Sequence, residues 1–186
     1  MPVTTLDPKT ALIVVDLQKG LLAYQTAPHP MAEVVKHAAA LVEAFRRHKL
    51  PVVLVNVTGG APGRSEQARP AGNFPPDFAE LLPELNQQPG DLLVTKKTWG
   101  AFTNTGLEQR LKDLGVTQVV VLGVATSIGA ESTARYAHEC GFHVTLAVDA
   151  MTDINADAHT NSITRIFPRL GETGTAREII ALLDRG

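Results

Sequence analysis

The apolar positions of this 186-residue chain fall into short continuous runs, separated by stretches in which they recur every three or four residues. Ala11–Val15 (ALIVV), Pro51–Val57 (PVVLVNV), Asp91–Thr95 (DLLVT), Gln118–Gly123 and His143–Val148 are of the first kind. Such runs, rich in Val, Ile and Leu and without polar alternation, predict strands covered on both faces, as in a parallel sheet. Met31–Arg47 is of the second kind: Val34, Val35, Ala38, Leu41, Val42 and Phe45 share one face, the pattern of an amphipathic helix. Gly106–Leu114 is a further helix, with Thr105 as its cap and Leu107, Leu111 and Leu114 as its buried stripe. Another runs from about Ile128 to Cys140, with Gly141 fitting its C-terminal cap. Met151–Pro168 carries His159 on a predicted helix, Gly171–Thr175 reads as a short sixth strand, and Ala176–Leu183 as the last helix.

Strands and helices that alternate in this way predict an α/β fold: a three-layer α/β/α, doubly wound, mostly parallel sheet of about six strands joined by right-handed crossovers. With 44% hydrophobic residues and no break in composition, residues 1–186 read as a single domain.

Charge narrows the set of partners. Seventeen Lys and Arg against nineteen Asp and Glu give a net charge of -2, with no basic stripe and no acidic run. That balance argues against nucleic-acid and membrane partners and for a small-molecule substrate. The start MPVTTLDPKT lacks a charged stretch followed by an apolar one, and no apolar run reaches membrane-spanning length, so a cytoplasmic protein is expected. The single cysteine, Cys140, cannot form an intramolecular disulfide and reads as a packed thiol near a helix end. There is no P-loop, no G-x-G-x-x-G after the first strand, no H-E-x-x-H and no paired C-x-x-C, and the six histidines are scattered. No cofactor and no metal site is predicted.

Candidate chemistry collects at strand ends. Asp16 follows the first strand, Lys96 and Lys97 the third, and the small-residue turn Val124–Gly129 the fourth. If those strands are neighbours, an acid, a cation and backbone amides meet at one carboxyl edge, where sites of open α/β sheets form. Asp16 also fits a bland use as a turn cap in DLQKG, and an Asp–Lys pair also fits a purely structural role. Thr58–Pro76, with four prolines and four glycines, reads as a long loop whose Arg64 and Arg69 are available to an anionic substrate. The aromatics Tyr24, Phe74, Trp99 and Phe102 are candidates for shaping a pocket.

The motifs DLQ at Asp16–Gln18, K-x-x-W-G-A-F at Lys96–Phe102, GVAT at Gly123–Thr126 and TAR at Thr133–Arg135, in this order, resemble those of the isochorismatase-like (cysteine hydrolase) superfamily. The resemblance covers nearly the whole chain and implies a three-layer α/β hydrolase, often a homo-oligomer. It places Asp16 at the acid/base position and, counting back from Trp99–Phe102, Lys96 rather than Lys97 at the lysine position. It also implies a cis peptide at Val124–Ala125. The family nucleophile falls on Gly129, which has no side chain, so the thioester route of the amidases cannot run there. Cys140 lies about three helical turns further on, roughly 16 Å away, and does not replace it. The isochorismatase branch resembles this chain in carrying Gly at that position. Its reaction is hydrolysis of a vinyl ether with release of pyruvate, through protonation of carbon and addition of water. By that resemblance Asp16 is the acid, Lys96 orients it or binds a carboxylate, and Ala125, Thr126, Gln18, Trp99 and Phe102 contact the substrate. Two other readings stay open: a catalytically degenerate binding or scaffold protein, and an amidohydrolase with a non-cysteine mechanism.

Overall fold

In the computed structural model, which describes residues 2–66 and 74–185, the apolar runs lie side by side in one parallel sheet. Its strands are β1 (Thr10–Val15), β2 (Val52–Val57), β3 (Leu92–Lys96), β4 (Gln118–Val124), β5 (His143–Thr152) and β6 (Glu172–Gly174), in the spatial order β3-β2-β1-β4-β5-β6. Every residue of β1 is buried, because helices cover both faces of the centre. Leu12 and Val14 face a core shared with Val34, Leu41 and Phe45 of α1 (Met31–Arg47) and Ile179 of α6 (Ala176–Leu183). Ala11, Ile13 and Val15 face the other core, with Leu107 and Leu111 of α2 (Leu107–Asp113), Ala134 and Ala137 of α3 (Glu131–Glu139) and Phe167 of α5 (Phe167–Leu170).

This order runs outward from β1 to β3, then returns to place β4 on the other side of β1. The chain reverses its winding there, and the carboxyl ends of β1 and β4 form the switch point at which sites of open α/β sheets are built. The two strands approach closely at that end. Gly123 has φ +115, and a Cβ on it would stand 2.1 Å from the carbonyl oxygen of Val15, so only glycine fits.

Four details depart from the periodicity. Leu114 is 47% exposed, because α2 ends at Asp113 and the third leucine of the expected stripe falls beyond it. The helix expected from Ile128 begins instead as a π-helical turn, Thr126–Ala130, in which the carbonyl of Ala125 accepts from both Ile128 and Ala130; the regular helix starts at Glu131. β5 runs to Thr152 rather than ending at Val148: Leu146 pairs with Val121 and Met151 with Gly123, so residues 147–150 stand opposite Leu122 alone. Strand β3 includes Lys96 as its last residue. The peptide Val124–Ala125 is cis. Among the described residues no helix is long and apolar enough to cross a membrane.

Candidate active site

Asp16 stands at the end of β1 with φ 55, a left-handed conformation that Asp tolerates better than most residues. Its amide donates to Val55 on β2. This turn aims the carboxylate across the sheet edge, where Oδ2 accepts from Lys96 Nζ at 2.6 Å. The side chain is therefore an ion-pair partner and not the cap of the DLQKG turn. Its other oxygen, Oδ1, is buried and has no hydrogen-bond partner among the described residues. Burial raises the Asp16 pKa to about 6, against the lowering effect of the Lys96 charge. Desolvation outweighs the ion pair because the carboxylate is only 5% exposed and one oxygen is unsatisfied.

The lysine comes from an unexpected distance. β1 and β4 are neighbours, but β2 lies between β1 and β3, so Lys96 starts two strands away from Asp16. Two strand spacings are about 9.6 Å, a gap that the long lysine stem bridges with help from the outward turn of Asp16. Lys96 is 2% exposed whereas Lys97 is exposed, since alternation along β3 puts Val94 and Lys96 on the covered face. A second donor of Lys96 goes to the carbonyl of Thr98 at 3.1 Å, which ties the β3 turn to the pair.

Gly129, in the turn after β4, faces this pair. A Cβ on Gly129 would stand 3.3 Å from Asp16 Oδ2 and 3.0 Å from both the Val124 carbonyl oxygen and Val15 Cγ1. The structure thus brings Asp16, Lys96 and Gly129 into one buried cluster at the carboxyl ends of β1 and β4. An acid poised near neutrality, a cation that pairs with it and an adjacent position without a side chain can transfer a proton; they cannot form a covalent acyl intermediate at residue 129.

A family model described as Isochorismatase domain matches residues 10–178. The chain belongs to the isochorismatase family. It is 39% identical to the uncharacterized isochorismatase family protein YwoC of Bacillus subtilis over 179 residues, which span 92% of this chain and 93% of that protein. It is 27% identical to a probable isochorismatase of Pseudomonas chlororaphis, over 95% of this chain and 87% of that one. Among solved structures, an isochorismatase family protein from Burkholderia thailandensis superposes with a TM-score of 0.93 at 38% identity, covering 97% of this chain and 98% of its own. Members of the family are hydrolases, and this chain is an isochorismatase-like hydrolase with a family α/β fold.

Within this isochorismatase-family fold, the remaining expected contacts divide. Ala125 is half-buried in the turn, next to the cis peptide. Trp99 is 63% exposed on the β3 turn, adjoining the Thr98 carbonyl that holds Lys96. Gln18 is otherwise employed: its amide donates to the carbonyls of Val57 and Phe78 and its oxygen accepts from the Val57 amide, so it ties the Asp16 turn to β2 and the 78 segment. The hydroxyl of Thr126 is fully buried and paired with His159 Nδ1 at 2.8 Å. Phe102 is a core residue, stacked on Tyr136 with ring centroids 5.3 Å apart, because the turn after β3 folds it under α3. Phe74 stacks on Phe78. Arg64 is exposed, and Arg69 lies outside the described residues. Cys140 caps the C-terminus of α3, its thiol pushed up to about 11 by burial and by Glu108, the opposite of the lowering that activates a nucleophilic cysteine. Among the described residues no group of three or more His, Cys, Asp and Glu side chains is placed to hold a metal.

Three supports of the site were not legible as such. Thr133, inside the TAR motif, is fully buried; its hydroxyl donates to the Gly129 carbonyl at 2.7 Å and accepts from the Ala101 amide at 3.0 Å. It thereby fastens the turn bearing Gly129 to the turn that follows Lys96. Asp153, 2% exposed, accepts from both the amide and the hydroxyl of Ser127, clasping the same turn from the end of β5. His159 reaches it through Thr126. Asp153 and His159 are remote in sequence from the turn they hold, whereas Thr133 lies one helical turn from Gly129 and bridges to the distant Ala101; only the motif position of Thr133 gave any signal.

Thr133→Val keeps the side-chain volume but leaves the Ala101 amide buried and unpaired, which costs about 1–3 kcal/mol. Urea unfolding should show a loss of that size, with kcat lowered about tenfold at unchanged secondary structure. Wild-type kcat in this variant would show that the bridge does not position Gly129.

Proposed function

We propose that the protein hydrolyses a small carboxylated enol ether, such as isochorismate, by acid catalysis without a covalent intermediate. The observation that carries this reading is the buried Asp16–Lys96 pair facing residue 129, where a nucleophile would otherwise project. Asp16, with its pKa near 6, holds a proton at mildly acidic pH and loses it as pH rises through 6. It delivers that proton to the terminal CH2 of the vinyl group, and the adjoining carbon becomes an oxocarbenium ion. Water adds to that carbon, one of its protons returns to Asp16, and the hemiketal collapses to the ring alcohol and pyruvate. Positive charge from Lys96 keeps Asp16 from being a weaker acid and offers a counterion to the substrate carboxylate. Gly129 places no side chain beside Asp16, where a Cβ would stand 3.3 Å from Oδ2. Supply of isochorismate to the purified protein, with pyruvate release followed by a coupled dehydrogenase, tests the reading. Turnover that declines as pH rises above about 6 is expected, and absence of pyruvate release at every pH would overturn it.

An amidohydrolase that works without cysteine is the second reading, favoured by the retained Asp16–Lys96 pair. Gly129→Cys separates the two, because a thiol at 129 would stand beside Asp16. Under the enol-ether reading the wild type hydrolyses no simple amide, and the variant loses pyruvate release because the new side chain crowds Asp16. Amide hydrolysis by the wild type would decide for the other reading.

A further inference from the structure

His159 is the one buried histidine among the described residues, 4% exposed on α4 (Ala156–Asn161), and the chemistry at Asp16 does not use it. Asn155 caps this helix through the amides of Asp157 and Ala158, which fixes its first turn and hence the imidazole. The ring lies edge-on to His29 with centroids 5.7 Å apart. Nδ1 meets the Thr126 hydroxyl at 2.8 Å. Thr126 is the first residue of the π-helical turn that ends at Ala130 and carries Gly129. A buried polar contact at the start of an irregular turn sets the direction of the residues after it, because an unpaired hydroxyl and ring nitrogen there would both be left unsatisfied.

We infer that His159 is a positioning residue: its imidazole, through the Thr126 hydroxyl, holds the Thr126–Ala130 turn in the form that presents Gly129 to Asp16. The inference rests on the reading of that cluster as the catalytic centre. The surroundings favour a neutral ring. Burial, then the neighbouring His29, lower the His159 pKa, opposed only by Asp153. The carboxylate of Asp153 is occupied by Ser127 and by the amides of Ile154 and Asn155. Glu131, at the start of α3, is held by Ser162 and Arg135, and Asp157, on α4 with His159, is exposed. In the neutral tautomer with the proton on Nε2, Nδ1 accepts from Thr126; a protonated ring has only donors, so the Thr126 hydroxyl must reverse from donor to acceptor, and this change is passed to the turn that it begins.

The test uses the full-length protein and two variants. His159→Asn puts a carboxamide where Nδ1 stands and keeps a bond to Thr126, whereas His159→Leu fills the space without one. In nuclear magnetic resonance, the Thr126 and Gly129 amides of the wild type should show an inflection that coincides with titration of the His159 ring. This inflection should vanish in His159→Asn while the one from Asp16 persists. With isochorismate, His159→Asn should keep kcat within about threefold, and His159→Leu should lose about tenfold in kcat with little change in KM. Amides at 126 and 129 that ignore the His159 titration would overturn the inference, as would equal impairment of the two variants per folded molecule. Absence of pyruvate release by the wild type counts against the enol-ether reading alone, and the resonance titration then decides on His159.

Discussion

Asp16→Asn is expected to lower kcat for pyruvate release by about 10²–10⁴-fold with the fold intact, the range that a positioned general acid contributes. Asparagine is isosteric and keeps an oxygen for Lys96, so the 2.6 Å contact survives in kind. What is lost is the transferable proton. The wild type should lose activity as pH rises through about 6, because the acid must be protonated to act. The residual rate of Asp16→Asn should lack that alkaline limb. Equal rates for the variant and the wild type, or an unchanged pH limb, would remove Asp16 from the reaction and leave the pair a structural one.

Lys96→Met is expected to be the second-largest change, and its effect on stability depends on pH. Methionine matches the stem but removes the charge that lowers the Asp16 pKa, so that pKa should rise further above 6. At pH 8 the variant buries an ionised carboxylate without a counterion, a situation that costs about 3–5 kcal/mol when a buried pair is broken. At pH 5 the carboxyl is protonated and the penalty shrinks. The sign follows from linkage: Asp16 has a folded pKa of about 6 against an ordinary value of 3.8, so the folded state binds more protons between them. Its contribution to stability is greatest below pH 4 and falls by on the order of 3 kcal/mol as pH rises through 6. Removing Lys96 extends that fall to higher pH. Denaturant unfolding at pH 5 and pH 8 measures it, and an equal loss at both values would show that Lys96 does not control Asp16. The alkaline limb of activity should shift upward in this variant, with kcat/KM down about 10²-fold.

Much of the architecture was legible because burial imposes a period. The continuous apolar runs in Ala11–Val15 and Gln118–Gly123 have no polar face to offer water, and both became central strands with helices on either side. The 3.6-residue spacing in Met31–Arg47 became α1 over the same residues. Periodicity misplaced Leu114, since it does not mark where a helix ends, and it missed the π-helical start at Thr126 for the same reason. Aromatic residues were the least legible: Phe102 and Trp99 sit three apart in one motif, yet one is in the core and the other is 63% exposed.

The sequence by itself determined the strands of the sheet and marked Asp16, Lys96 or Lys97 and the Val124–Gly129 turn as strand-end positions, because strand ends and small-residue turns are local features with local causes. The choice of Lys96 and Gly129 came from the family resemblance. Only the tertiary structure decided how those residues meet. The strand order put β2 between Asp16 and Lys96, and the left-handed turn at Asp16 with the long lysine stem closed that gap. Burial then made Asp16 an acid near neutrality, and Asp153 and His159, distant along the chain, together with the bridge from Thr133 to Ala101, fixed the turn that carries Gly129. The physical reason is that desolvation and cross-chain hydrogen bonds depend on what surrounds a group after folding, which no period in the sequence records.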